Sequence, residues 1–248
     1  PITGLNAAFV NVGYEKDAFL HYHDLGPQLS TMLKFIKRAS TGKMRDFSLK
    51  NVAFEPDIDK DGTINDAIKA NQSILVQIVK EPISTKGPRI SSELSIAGRY
   101  LVMVPFSDRV SVSQKIESKE EKDRLKRLVK SIKPKGFGVI IRTVAEGKKV
   151  AELDRDLQNL LNKWTVMCKK LHKAPHPSKV LVELNRASSI LRDVFNDSFS
   201  GIHVDDETLY TQVKDYVQEI APEKESIVKF YEASEPIFEK FGIERQIK

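Results

Sequence analysis

Apolar positions along the chain recur with two spacings, and these set the predicted elements. Short apolar runs and alternating stretches predict strands at 7–12, 18–21, 74–80, 88–94, 100–105, 139–142, 179–184, 202–204 and 226–231. Helical spacing predicts helices over 25–39, 114–133, 152–171, 187–196 and 207–220, with a short helical start at 236–241. The clearest stripe runs through Leu153, Leu157, Leu160, Leu161, Trp164, Met167 and Leu171. Leu25, Leu29, Met32, Leu33 and Ile36 form another, whose start Gly26-Pro27 delays. Residues 40–71 are polar without clear periodicity and read as an insertion or long loop. No internal repeat is visible. The mixture is α+β.

Composition narrows the class. A chain of 248 residues that is 40% hydrophobic can build two or three modest domains. No apolar run approaches a membrane span, and no signal peptide is visible. One cysteine, Cys168, excludes an internal disulfide and a Cys-rich zinc site, and a reducing cytoplasm fits. The chain starts at Pro1 without a Met, which reads as a cut inside a domain. Charge is uneven. Residues 1–92 carry 12 Lys+Arg against 10 Asp+Glu, residues 93–190 carry 21 against 11, and residues 191–248 carry 7 against 13. A basic middle third between near-neutral and acidic neighbours points to a polyanion surface on one module. Part of that charge is a solvated helix face, since residues 118–130 mix both signs.

The most informative stretch is 136–147, GFGVIIRTVAEG. Its apolar run reads as a buried strand that ends in Arg142-Thr143. A guanidinium fork, a hydroxyl and nearby backbone N–H groups can hold a phosphate. The plain alternative is an Arg that leaves a strand and reaches solvent. Three other signals are weak. Residues 57–62 copy half of an EF-hand loop, but Ile68 stands where the bidentate Glu is due and Pro56 precedes the loop. His21-x-His23 lacks a third ligand nearby. Asp205-Asp206-Glu207 opens a helix, where carboxylates cap N–H groups.

Three segments together resemble the RNase E/G family of endoribonucleases. AAFVNVGYEKDAFLH at 7–21 is similar to the family's RNA-binding OB-fold segment. LVQIVKEPISTKGPRISSELSIAGRYLVMVP at 75–105 resembles the strand pair and the SLAGRYLVLMP signature after it. GVIIRTVAEGKKVAELDRDLQNLLNKW at 138–164 resembles the GLIVRTAAEG segment and its helix. Departures are mild: Asn11 replaces a usual Asp, and Asp17-Ala18 stands where a Gly usually precedes Phe.

The resemblance implies an α+β, multidomain fold. Residues 1–92 would be an OB-fold β-barrel, S1-type, incomplete because it is N-terminally truncated, with the insertion at 40–71. Residues 93–188 would be an α/β 5′-sensor domain, and 189–248 a partial RNase-H-like structural segment. It implies that Arg142 and Thr143 bind an RNA 5′-monophosphate, with Gly98 and Val102 at the pocket wall. It implies that Phe9 and Phe19 stack on bases beside Lys86. By residue type alone, core packing is the more usual place of either Phe. The implied partners are single-stranded RNA with a 5′-monophosphate and, at full length, further copies of the chain. Catalytic residues, the Mg²⁺ site and a zinc link between protomers would lie outside this chain, with no cofactor expected within it. The other reading is a stand-alone, non-catalytic RNA-binding or scaffold protein.

Overall fold

The computed structural model describes every residue except Pro1, Lys173, Glu183, Leu184, Asp197 and Lys248. The chain divides into two units, Pro1–Val182 and Glu183–Lys248.

The first unit opens with β1 (Ala7–Val10) and β2 (Ala18–His21), which pair antiparallel. Gly13, at φ +76°, makes the turn between them possible. Helix α1 (Leu29–Ser40) begins four residues after the first position of its apolar stripe, Leu25, because Gly26-Pro27 delays it, as expected. After α2 (Ile64–Ala67) come β3 (Gln77–Lys80) and β4 (Arg89–Ser91). These strands form an open sheet in the order β1-β2-β4-β3, with β2 and β4 parallel.

A second sheet follows. It contains β5 (Ile96–Ala97), β6 (Leu101–Pro105) and β7 (Val110–Val112), then helix α3 (Lys119–Ile132) and β8 (Phe137–Ile141), in the order β5-β6-β8-β7. Strands β7 and β8 are parallel and joined by α3, a βαβ unit. Helix α4 (Val150–Lys170) completes the unit. Its stripe of Leu153, Leu157, Leu160, Trp164 and Met167 is buried. Trp164 meets Phe35, Phe106 and Phe137 at centroid distances of 5.6, 5.8 and 5.8 Å. The core they anchor runs without a break from Ala8 to Leu171. The architecture is α+β, and no sheet closes into a barrel among the described residues.

Several expectations need correction. Residues 41–63 form no helix or strand, as a long loop would, yet Phe47, Leu49, Ile64 and Ile68 of the 40–71 stretch are buried in the core. The Phe47 carbonyl also accepts the Trp164 indole N–H at 2.9 Å, which satisfies a buried donor. The strand expected at 88–94 is shorter, Arg89–Ser91, and β5 at Ile96–Ala97 was not expected. The helix expected from 114 starts at Lys119, where the Ser118 hydroxyl accepts the Glu121 N–H. Strand β7 was not expected at all. Residues 179–182 form no strand, and the rest of that expected strand, Glu183 and Leu184, lies outside the described residues. Cys168 is buried on α4, and burial pushes its thiol well up.

The second unit holds α5 (Arg186–Val194), β9 (Ile202–Val204), α6 (Glu207–Ile220), β10 (Val228–Phe230), α7 (Ile237–Lys240) and α8 (Ile243–Ile247). Strands β9 and β10 are parallel and joined by α6. Leu191, Phe195, Val204, Val213, Val217 and Val228 make its core. The Asp206 carboxylate accepts the Leu209 N–H at 2.7 Å, so this acidic run does cap α6. Among the described residues, no helix is long and apolar enough to cross a membrane.

Candidate phosphate site and aromatic sheet face

Strand β8 buries Phe137, Val139 and Ile141 and exposes Ile140, so the next outward position belongs to Arg142. The Arg142 N–H donates to the Tyr100 carbonyl at 2.8 Å. Its Nη1 donates to the Gly98 carbonyl at 2.9 Å and to the Arg99 carbonyl at 3.3 Å. The guanidinium is therefore fixed over the turn between β5 and β6. Thr143 opens a short 3-10 turn, and its hydroxyl lies 2.9 Å from the Ser113 hydroxyl just past β7. One of these two hydroxyls donates to the other, and the second hydrogen can serve an oxyanion.

The Gly98–Leu101 turn is held from behind by a residue that sequence reading missed. The Asp156 carboxylate, on α4, accepts the N–H groups of Arg99, Tyr100 and Leu101 at 3.0, 2.8 and 2.9 Å. Burial pushes its pKa up, against the pull of those three donors. A Cβ on Gly98 would stand 2.6 Å from an Asp156 oxygen, so only glycine fits. Gly98 thus contributes its carbonyl and the absence of a side chain. Val102 lies on the outward face of β6, paired with Ala97 on β5 and Ile140 on β8. The Tyr100 ring has Arg99 and Lys148 each 5.4 Å from its centroid. The structure therefore brings Arg142, Thr143, Gly98 and Val102 to one end of one sheet, with Lys148 and Arg99 beside them.

The turn that carries Thr143 is tied down separately. The Glu121 carboxylate, on α3, accepts the Gly147 N–H at 2.8 Å and both arms of the Arg124 fork at 2.6 and 2.7 Å. Arg124 also donates to the Lys148 carbonyl at 3.0 Å. The Arg124 guanidinium holds the Glu121 carboxyl at about 2, far below its usual range.

The other expected residues gather on the first sheet. Phe9 and Phe19 are directly opposite in the β1–β2 register, with ring centroids 6.0 Å apart and edge to face. Phe9 is 57% exposed and Phe19 is half-buried, while Ala8, Ala18 and Leu20 fill the core side. The His21 ring follows Phe19 at 6.5 Å, and His23 follows His21 at 5.0 Å. Lys86 is exposed in a tight loop bridged from Ile83. The Lys16 ammonium donates to the Thr85 carbonyl, and a Cβ on Gly87 would stand 2.1 Å from the Asp17 carbonyl, so this loop is seated at the start of β2. A cleft of about 320 Å³ near α1, lined by Met32, Phe54, Glu93 and Phe106, holds none of these residues. Among the described residues, no group of three or more His, Cys, Asp or Glu side chains could hold a metal ion.

Known proteins match along the whole chain. Residues 95–248 match the Ribonuclease E/G family. Ribonuclease G of Haemophilus influenzae is 32% identical over the whole chain, which covers 46% of that protein. Ribonuclease G of Escherichia coli K12 is 32% identical with 47% covered, and Ribonuclease E of a Nostoc strain is 30% identical with 33% covered. The chain spans less than half the length of these relatives.

Proposed function

Since the chain belongs to the Ribonuclease E/G family, we propose that it is the RNA-binding and 5′-monophosphate-sensing part of a single-strand-specific endoribonuclease of RNA processing and decay. Residues 1–92 serve as an S1-type OB-fold, 93–188 as the 5′-sensor and 189–248 as an RNase-H-like structural segment. The observation that carries the reading is the guanidinium of Arg142, anchored on two backbone carbonyls beside a pair of hydroxyls. A terminal phosphate meets a charge-assisted fork there, and Thr143 or Ser113 donates a hydroxyl hydrogen. Fixed donors of this number suit one phosphoryl group, whereas a triphosphate brings charge and bulk they cannot match. Phe9 and Phe19 stack on bases of the same strand, Lys86 contacts a phosphate, and Val102 with Gly98 walls the terminal nucleotide.

On this account the chain recognises RNA, and the Mg²⁺-dependent cleavage of the whole enzyme, with its zinc-linked oligomer, depends on residues elsewhere. The purified chain, incubated with single-stranded RNA and Mg²⁺, should bind with a marked salt dependence and leave the RNA intact. Cleavage by the chain that disappears when Asp205 and Asp206 are changed to Asn would overturn the division of labour and turn a helix cap into an active site.

A further inference from the structure

The outward face of the first sheet carries a row that does not end at its two phenylalanines. Register places Phe9 on β1 opposite Phe19 on β2 and Phe19 beside Arg89 on β4, and past a register shift at Ile78–Lys80 it pairs Arg89 with Lys80 on β3. Residues directly paired across strands share a face, and neighbouring strands lie about 5 Å apart. Arg89 is therefore the next position after Phe19 along one exposed line. Its side chain is 46% exposed.

Arg89 is also held still. Its Nε donates to one Asp24 oxygen at 3.0 Å and its Nη2 to the other at 2.9 Å, a two-pronged fork. Asp24 is in turn fixed to β4, because its carbonyl accepts the Ser92 N–H at 3.0 Å and the Ser91 hydroxyl at 2.7 Å. The fork sets the plane of the guanidinium and offsets its charge. The offset weakens the pull of Arg89 on a phosphate. A flat cation held in one orientation has a different use, since nucleic-acid bases stack on guanidinium planes as they do on aromatic rings.

We propose that Arg89, oriented by Asp24, is a third base-stacking plate that continues the row of Phe9 and Phe19. The ligand is single-stranded RNA lying across the strands, with Lys80 at the far end of the row contacting its backbone. This inference rests on the RNA-binding reading of the same sheet face. Asp24 is a positioning residue, since it acts through Arg89.

The test is equilibrium binding of a labelled single-stranded RNA of about 12 nucleotides with a 5′-hydroxyl end, so that Arg142 plays no part. Phe19→Ala tests the underlying reading: an unchanged affinity would remove RNA from this face altogether. If Phe19→Ala weakens binding, the inference stands or falls on two further variants. Arg89→Lys keeps the charge and loses the plane, and it should bind roughly tenfold more weakly with an unchanged salt slope. Asp24→Asn removes a negative charge and frees the plane, and it too should bind more weakly. Affinity retained by Arg89→Lys, or tighter binding by Asp24→Asn, would mean that Arg89 acts as a phosphate contact and would overturn the stacking role. Thermal melts accompany each variant. If Asp24→Asn fails to fold, Arg89→Lys, an exposed change of similar size, decides alone.

Discussion

Asp156 shows how much one residue can organise. Three consecutive backbone N–H groups end on its carboxylate, and they belong to the turn whose carbonyls hold Arg142. Removing the carboxylate leaves buried donors without a partner, at about 1–3 kcal/mol apiece. Asp156→Ala is expected to destabilise the chain by about 3 kcal/mol and lower Tm by ~10 °C. It should also weaken any preference for a 5′-phosphate, because Arg142 loses its fixed support. A variant with wild-type Tm and wild-type end preference would remove Asp156 from the account. Nothing in the sequence marks this residue. It is one acidic position close to the apolar stripe of α4, and its partners lie 55–57 positions earlier in the chain. The Asp24–Arg89 fork spans 65 positions and was hidden for the same reason. The place of Arg142 and Thr143 at the end of β8 was legible because that signal is local: an apolar strand that ends in a fork and a hydroxyl.

Among elements, those that carry their own periodicity were legible and those that borrow it were not. Helices α4 and α6 lie within two residues of their expected bounds, since each carries several turns of one apolar stripe. Strand β7 has three residues with a serine at its centre, too short for alternation to register. The buried residues between α1 and β3 are spaced irregularly because they plug gaps in a core built by other elements. The link between α3 and the Thr143–Gly147 turn gives a pH-dependent prediction. Glu121 titrates near 2 when folded, against an ordinary value of 4.5. A carboxyl with a lowered folded pKa stabilises the fold above its unfolded value, and that stability is lost as pH falls toward the folded one. Wild type should therefore melt above Glu121→Gln at pH 7, and the gap should close between about pH 4.5 and 2. A gap of constant size over that range would show that the Arg124 fork and the Gly147 N–H do not depend on the charge of Glu121.

At the scale of the first unit, two candidate surfaces stand on one continuous core. The first sheet offers exposed aromatics, and the second offers an anchored guanidinium with two hydroxyls. The basic middle third of the chain coincides with the second sheet and its helices. On the proposed reading, a polyanion is attracted by charge over a broad area, and its end is read at one point. In that proposal the aromatic face would give affinity with little sequence preference, and the Arg142 site would give dependence on the end group.

That end dependence is the central claim, and a paired titration tests it most directly. The same single-stranded RNA is prepared with a 5′-monophosphate and with a 5′-hydroxyl, and each is titrated against the chain and its Arg142→Ala variant. Wild type should favour the monophosphate by about tenfold or more, since a charge-assisted partner contributes about 1.5–3 kcal/mol. Arg142→Ala should abolish the preference while leaving affinity for the hydroxyl RNA nearly unchanged. Equal affinity of wild type for both ends, or an Arg142→Ala variant that loses both alike, would contradict the account.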